Sequence, residues 1–223
     1  MKKYIALIVS MFALNTSIQA QQFTTVDLFD MTTNISYGHE GYYHKDVNNY
    51  LNQFVGNWRF TLNMNGHQYK VYEVKFAKKT FTRTYPGTGG TFKYDALVGE
   101  MRIVKQGTEI YNGFNNLNQN YTSDTQYNIY NFNRVENGNC NNCTIPYQRL
   151  QMSYSEPDND NRKFNDLNFV MHTYVQNGKT YLRIDFPQST IKFETENRYD
   201  ADLPVTKTEL FFNFGTYNFE RFY

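Results

Sequence analysis

The sequence predicts an all-β protein, an antiparallel barrel of about eight to ten strands with one short helix before the first strand. Its 223 residues include 20 tyrosines and 19 phenylalanines, and aromatic side chains favour pleated strands. Several stretches alternate apolar and polar residues with a period of two, as half-buried strands do. Asn-Gly and Gln-Gly dipeptides, typical of tight turns, separate some of these stretches. A two-sheet sandwich is the alternative architecture.

The first twenty residues have the features of a cleaved signal peptide. Lys2 and Lys3 precede an apolar stretch over residues 4–14, and the small residue Ala20 stands at the expected cleavage position. This stretch is shorter than the roughly 20 apolar residues that span a bilayer. No cysteine follows it to carry a lipid anchor. We therefore expect a mature chain that is free in the periplasm or outside the cell.

The remaining residues are enough for one domain with a sizeable core. Residues 21–45 show no sustained period and predict an irregular lead-in, and residues 46–223 predict a single β-domain. The 22 basic and 21 acidic residues leave a net charge of +1 without long runs of one sign. We therefore expect no nucleic-acid partner. We also expect a monomer without a transmembrane helix.

A short helix is predicted to begin at Asp46, whose carboxylate can accept the free amide hydrogens of a first turn. Four apolar residues after it would share one face of this helix. These are Val47, Tyr50, Leu51 and Phe54.

The first hairpin follows Gly56, where the period changes to two. Asn65 and Gly66 supply the two residues with positive φ that a tight turn needs. The apolar positions are Trp58, Phe60, Leu62 and Met64 on the first strand and Tyr72, Val74 and Phe76 on the second.

A loop over residues 78–90, with Lys78, Lys79 and Pro86, separates this hairpin from a long strand over 92–104. We expect a bulge in that strand at Gly99. Gln106-Gly107 and Asn177-Gly178 mark two further hairpin turns. Other strands are predicted over residues 108–111, 127–132, 149–154, 167–175, 179–186, 191–193 and 206–214.

The stretch FVGNW, residues 54–58, contains the only tryptophan of the chain. Gly56 and Trp58 at the start of the first strand resemble the Gly-x-Trp signature of lipocalin-like barrels. In that family the glycine permits close backbone approach and the tryptophan closes the floor of the barrel. The resemblance implies the same arrangement here. The simpler alternative is a tryptophan buried in the core of a β protein of any family.

A second resemblance covers most of the mature chain. The matching positions are Lys45-Asp46, Leu51, Phe54, Gly56, Trp58, Gly99-Glu100, Gly107 and Leu203-Pro204. In this pattern the sequence is similar to a family of small exported bacterial proteins of unknown function. The resemblance implies a fold and export, and it implies no activity and no catalytic residue.

Cys140 and Cys143 lie in a loop rich in asparagine and glycine. We predict a disulfide between them, since an exported protein meets an oxidising compartment. A redox-active pair would need a helix N-terminus to lower the thiol pKa, and a zinc site would need about four ligands. Neither pattern surrounds these two cysteines.

No metal site is predicted. Of the four histidines, only His39 and His44 are close together in the sequence, and His67 and His172 stand far from them and from each other. We interpret His39 and His44 as exposed loop residues. Asp158 and Asp160 are spaced like ligands of a calcium loop, but the following residues are Arg162 and Lys163. Such a loop needs an oxygen ligand and a glycine there, which favours a solvated turn.

Hydrolysis is the enzymatic alternative, because paired carboxylates can act as general acid and base. The candidates on predicted strands are Glu73, Glu100, Asp185 and Glu194. Solvated faces of an antiparallel sheet explain such residues equally well. There is no nucleophile motif and no phosphate-binding glycine loop, so we expect no enzyme and no cofactor.

The function that we expect is the binding of a small apolar or amphipathic ligand inside the barrel. The side chains predicted to line or close the cavity are Trp58, Phe60, Leu62, Tyr72, Val74 and Phe76. A small barrel can instead be filled by its own side chains. In that case the protein would be a structural or interaction protein of the cell envelope, acting through exposed aromatics and Asn-rich loops. An outer-membrane barrel is less consistent with strands that lack a lipid-facing apolar band.

Overall fold

The computed structural model describes residues 22–30, 37–85, 87, 89–134, 149–155, 167–186 and 215–223. Within them the chain forms one sheet of 11 strands, which confirms the all-β prediction. The strands are β1 Thr24–Asp27, β2 Tyr42–Lys45, β3 Gly56–Met64, β4 His67–Thr84, β5 Thr91–Lys105, β6 Thr108–Asn112, β7 Ile129–Arg134, β8 Leu150–Tyr154, β9 Leu167–Gln176, β10 Lys179–Phe186 and β11 Gly215–Phe222. Short 3₁₀ helices lie at Tyr50–Gln53, Phe114–Asn118 and Asp124–Gln126.

The strands follow the order β1-β2-β5-β4-β3-β11-β10-β9-β8-β7, and β6 pairs with β5 beside this path. The β1–β2 and β2–β5 pairs are parallel, and the other pairs are antiparallel. One more antiparallel pair joins Gly99 of β5 to Ile129 of β7. The pairings therefore lead from β5 through seven neighbouring strands back to β5.

The three predicted hairpin turns are confirmed. Each places a non-glycine residue and then a glycine in the left-handed region, as a tight two-residue turn requires. The φ angles are 52° and 77° at Asn65 and Gly66, 51° and 81° at Gln106 and Gly107, and 51° and 74° at Asn177 and Gly178.

The β4–β5 hairpin is longer than predicted. β4 continues through Lys78 and Lys79, and its last residue, Thr84, pairs with Thr91. The loop predicted over residues 78–90 is therefore confined to the residues after Thr84. Lysines and threonines dominate this end of β4, and they conceal the alternation that would have indicated a strand.

The bulge predicted at Gly99 is also corrected. Gly99 lies in unbroken register with Phe76 of β4, and the irregularity in β5 falls between Ile103 and Val104, where it pairs with β6. A Cβ on Gly99 would lie 2.8 Å from the Phe76 ring. Glycine at this position therefore leaves room for the Phe76 ring, and it does not interrupt the hydrogen-bond ladder between β4 and β5.

The lead-in contains two short strands, β1 and β2, where we predicted irregular chain. Four residues each are too few for a period to be visible in the sequence, and their pairing with each other and with β5 gives them their structure.

The predicted helix after Asp46 is reduced to the 3₁₀ turn Tyr50–Gln53. Asp46 accepts hydrogen bonds from the amides of Tyr50 at 2.8 Å and Leu51 at 3.1 Å, so its carboxylate serves these free amides as predicted. Asn49 has a φ of 56°, and this left-handed residue keeps an α-helix from starting at Asp46.

β11 was not among the predicted strands. The strands predicted over residues 191–193 and 206–214 lie outside the described residues, as do Cys140, Cys143, Glu194 and the Asp158–Lys163 turn residues.

Two apolar cores lie on the two faces of the long β4–β5 hairpin. The central core contains Trp58 and joins β3, β4 and β5 to β8–β11. The second core lies on the other face, under the segment of residues 113–128 that connects β6 to β7. Its buried members are Phe81, Phe92, Tyr94, Ala96, Val98, Leu117 and Tyr127. β5 is buried on both faces from Tyr94 to Met101, a stretch that includes the acids Asp95 and Glu100.

Candidate functional site

Trp58 is fully buried at the start of β3. Its indole Nε1 donates a hydrogen bond to the Phe54 carbonyl at 2.7 Å, and the guanidinium of Arg221 lies 4.7 Å from the centre of its ring. Arg221 also donates to the carbonyls of Val55 at 2.6 Å and Gln53 at 3.2 Å. The tryptophan thus joins the 3₁₀ turn, β3 and β11 at one end of the sheet. No sequence motif had indicated Arg221, which lies 163 positions further along the chain.

The residues predicted to line a cavity occupy two different environments. Trp58, Tyr72, Val74 and Phe76 are buried in the central core and pack against other core side chains. Phe60 is only half-buried, and Leu62 is 39% exposed. Burial of the apolar positions of β3 therefore decreases from Trp58 towards the Asn65-Gly66 turn.

An aromatic cluster lies between the buried and the exposed parts of this face. It consists of Phe60, Tyr72, Tyr217 and Phe219. The Phe60 ring is 5.1 Å from the Tyr217 ring in a T-shaped contact and 5.9 Å from that of Phe219. The Tyr72 and Tyr217 rings are 5.6 Å apart. Such edge-to-face pairs contribute about 0.5–1.5 kcal/mol beyond the area that they bury.

The cluster also contains polar groups. Burial raises the pKa of the Tyr217 hydroxyl to about 12, and a hydrogen bond with Tyr72 opposes this shift. The ammonium of Lys70, a residue 9% exposed, lies 4.7 Å from the centre of the Tyr72 ring. Lys105 is directly opposite Lys70 in the β4–β5 register. This end of the sheet thus combines aromatic side chains, phenol hydroxyls and lysines.

The candidate hydrolytic carboxylates occupy separate environments. Glu73 accepts Arg59 at 2.6 Å and Arg102 at 2.8 Å, whereas Asp185 accepts Arg183 at 3.0 Å. Glu100 is fully buried beside the second core. Among Glu73, Glu100 and Asp185, which the structure describes, no two share a hydrogen-bond partner.

The interpretation of His44 as an exposed loop residue was wrong, whereas His39 is exposed as predicted. His44 lies in β2, and its Nε2 accepts a hydrogen bond from the Gly38 amide at 3.1 Å. Burial, followed by the charge of His39, lowers the pKa of His44. This hydrogen bond ties the chain before β2 to the sheet, a role that the sequence alone did not reveal.

A second candidate surface lies on the outer side of the β4–β5 hairpin. We call it the outer aromatic patch, and it consists of Tyr37, His44, Tyr85, Phe92 and Tyr94. The Tyr37 ring lies 5.1 Å from that of His44, 6.0 Å from Phe92 and 5.9 Å from Tyr94, and Tyr85 lies 5.4 Å from Phe92. Tyr37 is 60% exposed and Tyr85 39%, whereas His44, Phe92 and Tyr94 beneath them are buried. Sequence reasoning missed this patch because pairing of β2 with β5 brings its members together.

A family model described as a family of unknown function, DUF6705, matches residues 1–204. The chain belongs to this family. The match confirms the resemblance to a family of unknown function, and membership of DUF6705 brings no activity and no catalytic residues with it. It extends from the N-terminus beyond β10 and ends before β11.

The comparisons with curated proteins and with solved structures found no match. In the part of the chain that the structure describes, none of the helices has the length and apolar character needed to span a membrane.

Proposed function

We propose that this protein is an exported, non-enzymatic binding protein that holds the apolar part of a small amphipathic ligand at the aromatic cluster. The observation that carries the proposal is the change in burial along β3. Its side chains pass from fully buried at Trp58, through half-buried at Phe60, to 51% exposed at Met64. Apolar surface that remains accessible beside a packed aromatic core is suited to a small apolar group.

The proposal includes closure of the sheet as a lipocalin-like barrel. The circular series of pairings from β5 back to β5 supports it, and so does the position of Gly56 and Trp58 where the chain enters β3. A barrel of about eight strands has an interior that side chains fill or that holds one small ligand. Trp58 would close one end, and the aromatic cluster would lie nearer the other.

The polar groups of the cluster favour an amphipathic rather than a purely apolar ligand. The hydroxyls of Tyr72 and Tyr217 and the ammonium of Lys70 stand among aromatic rings. Ligand sites combine an apolar lining with a few placed polar groups that fix orientation. We propose that the ligand's apolar portion contacts Phe60 and Leu62 and that its polar end lies towards Lys70.

Export and the absence of catalysis are parts of the same proposal. The pattern of residues 1–20 supports export to the periplasm or beyond. The engagement of Glu73 by two arginines supports a structural role for this carboxylate, because a general acid or base must be able to exchange its proton with a substrate. We expect the mature protein to act as a monomer.

Native mass spectrometry of the mature protein, exported by its host cell and purified gently, tests this proposal. We expect one small-molecule adduct per chain that is lost on denaturation. Phe60→Ser should lower the bound fraction about tenfold or more, because removing apolar ligand contact weakens binding. Val175→Ser, at an exposed apolar position on β9, should leave it unchanged. A bare chain that also fails to bind a dodecyl amphiphile at millimolar concentration would exclude this function.

A second candidate function is recognition of an envelope polymer through the outer aromatic patch. Exposed, contiguous aromatic side chains mark interaction sites on soluble proteins, and Tyr37 and Tyr85 provide such a surface. Affinity electrophoresis in gels containing envelope polysaccharide tests it. We expect retardation that Tyr37→Ala abolishes and that Tyr223→Ala, at another exposed tyrosine, does not change. Equal mobility with and without the polymer would exclude this function.

A further inference from the structure

Glu100 is a fully buried acid on the face of β5 that carries the second core. Residues 113–128, which we call the cover segment, connect β6 to β7 and pack over this face. Glu100 Oε1 accepts a hydrogen bond from the Asn128 amide at 3.3 Å. Its other oxygen, Oε2, makes no hydrogen bond of normal geometry among the described residues, although the Asn116 side chain lies close enough to favour the charged form of Glu100. A buried carboxylate that lacks partners is costly when it is ionised.

The cover segment approaches Glu100 closely. A Cβ on Gly113 would overlap both Oε2 of Glu100 and the hydroxyl of Tyr111, so any larger residue here would have to displace these two side chains. The Gly113 amide donates a hydrogen bond to the Met101 carbonyl at 2.8 Å, which fixes the start of the segment beside Glu100. The Asn128 amide fixes its other end on the same carboxyl group.

The groups around the carboxyl are mostly uncharged. Tyr111 donates its hydroxyl to Asn128 Oδ1 at 2.7 Å. Burial raises the pKa of Glu100 to about 7, although the Asn128 amide and the Asn116 side chain lower it. The titratable or charged residues on the surrounding elements include Lys75, directly opposite Glu100 on β4, Arg102 on β5 and Tyr111 on β6. The cover segment itself carries Tyr127 and the buried Asp124, which accepts a hydrogen bond from the Tyr94 hydroxyl of β5 at 3.0 Å. Lys79 of β4 donates to the Gln119 carbonyl of the segment at 3.1 Å.

Arg102 does not neutralise Glu100, because it is paired with Glu73 and Glu109. In the described part of the chain, none of the ion pairs includes Glu100 or Lys75. The proton itself is therefore the group that relieves the cost of burying this carboxyl.

We propose that Glu100 is a proton-controlled latch, which holds the cover segment against β5 when protonated and releases it when ionised. Protonation removes the charge that the surrounding residues do not balance, and a neutral carboxyl needs fewer hydrogen-bond partners than an anion. Release would expose the apolar side chains of the second core, such as Val98 and Leu117. This device is independent of the ligand proposed for the aromatic cluster, which lies on the other face of the hairpin.

The direction of the pH effect follows from the raised pKa. Docking of the cover segment is most stable below the ordinary pKa of a glutamate, because the docked form then has its proton at no cost. It weakens as the pH rises from that value through about 7 and changes little above it. The difference between the pKa of Glu100 in the docked form and the ordinary pKa of a glutamate corresponds to a change in the docked-to-released ratio on the order of 100-fold.

Hydrogen exchange measured by mass spectrometry at pH 5 and pH 8 tests the latch on the full mature chain. After correction for intrinsic exchange rates, we expect protection of residues 113–128 to fall on the order of 100-fold. Peptides from β9 and β10 should change little and serve as an internal reference. Glu100→Gln should keep the segment protected at both pH values, because its side chain has no charge. Glu220→Gln, at an exposed acid on β11, should behave as wild type.

A titration of the Glu100 carboxyl by ¹³C NMR in the wild-type protein keeps the test decisive if Glu100→Gln does not fold. We expect a midpoint near pH 7, with the Asn128 amide shifting at the same midpoint. A midpoint at the ordinary value for glutamate would overturn the proposal. Protection of residues 113–128 that does not depend on pH, or that still depends on it in Glu100→Gln, would overturn it as well.

Discussion

Single residues at the ends of β3 and β11 hold distant parts of the chain together. Trp58 connects to the 3₁₀ turn through Phe54 and to β11 through Arg221. The ring is fully buried. It therefore stabilises the fold both through the apolar area that it removes from water and through the hydrogen bond of its indole N–H. Trp58 is therefore the residue whose loss should affect the largest number of elements at once.

We predict that Trp58→Ala lowers the free energy of unfolding by about 3–5 kcal/mol, as truncation of a buried aromatic side chain does. Urea unfolding followed by circular dichroism measures this loss. Val175→Ala, at an exposed position on β9, is the control and should cost less than about 0.5 kcal/mol. A loss below about 1 kcal/mol in Trp58→Ala would show that the ring does not close this end of the sheet.

Gly113 offers a second prediction at the residue scale. Its φ of −94° is accessible to any residue, so Gly113→Ala should cost stability only through overlap with Glu100 and Tyr111. We expect a loss of about 1–3 kcal/mol. In Glu100→Ala the carboxyl is absent, and adding Gly113→Ala should then cost less. Urea melts of the two single variants and the double variant give this coupling, and strictly additive losses would contradict the packing described here.

At the scale of elements, side-chain hydrogen bonds hold segments that are too short to be stable alone. Asp46 is the clearest case, because its carboxylate accepts two backbone amides of the 3₁₀ turn and the ammonium of Lys78 at 3.3 Å. Asp95 of β5 accepts the Asp46 amide at 3.0 Å and the Tyr43 hydroxyl at 2.7 Å. The turn is thereby tied to the β4–β5 hairpin.

We predict that Asp46→Ala costs about 2 kcal/mol, since it leaves two amides and a lysine without their acceptor. Asp46→Asn keeps one acceptor oxygen and should cost less. Thermal melts of both variants measure the difference. Glu220→Ala removes an exposed acid that pairs with Lys179 and should change stability by no more than about 1 kcal/mol. Equal losses in Asp46→Ala and Glu220→Ala would refute the role of Asp46.

The hairpins explain why most strand positions could be predicted. Asn65-Gly66, Gln106-Gly107 and Asn177-Gly178 determine the backbone of their turns locally, and so they fix which strands are neighbours. The extra length of β4 could not be predicted, because Phe81 packs on a second core that forms only when residues 113–128 fold back over the hairpin. In the first part of β4 the side chains of Val74 and Phe76 face the central core, whereas Phe81 in its last part lies on the opposite face, in the second core.

On the scale of the whole molecule, the sheet is joined to itself through one strand, β5. The single pair Gly99–Ile129 connects β5 to β7, whereas β5 also pairs with β2 near its start and β6 near its end. β5 thus uses one edge for three different partners along its length. The pair at Gly99 places β7, the last strand of the order, beside β5, the third strand.

We predict that the pairing of Gly99 with Ile129 persists in solution. Nuclear Overhauser effects between the backbone protons of Gly99 and Ile129 should then be observed, as should those between Phe76 and Gly99 on the other edge of β5. Both pairs are antiparallel neighbours, whose Cα atoms lie about 4.5–5.5 Å apart. A missing effect for Gly99 and Ile129, with the other present, would show an open sheet.

The candidate site was only partly accessible to sequence reasoning. The alternation of β3 identified Trp58, Phe60 and Leu62 as one face, and the return strand added Tyr72. Tyr217 and Phe219 were not included, because no strand was predicted over the residues of β11. The period of an isolated strand predicts which residues share a face, but it does not predict which distant strand lies beside them.

The sequence by itself determined the local structure: strands with one buried face, the three tight turns, and Asp46 as the acceptor at the 3₁₀ turn. These depend on neighbouring residues, whose backbone preferences act without the rest of the molecule. Only the tertiary structure decided that Arg221 covers Trp58, that His44 is buried, and that Glu100 lies without a full set of partners beneath residues 113–128. Burial and long-range pairing depend on which distant segments meet, and the free energy of an acid or an aromatic ring is set by that environment.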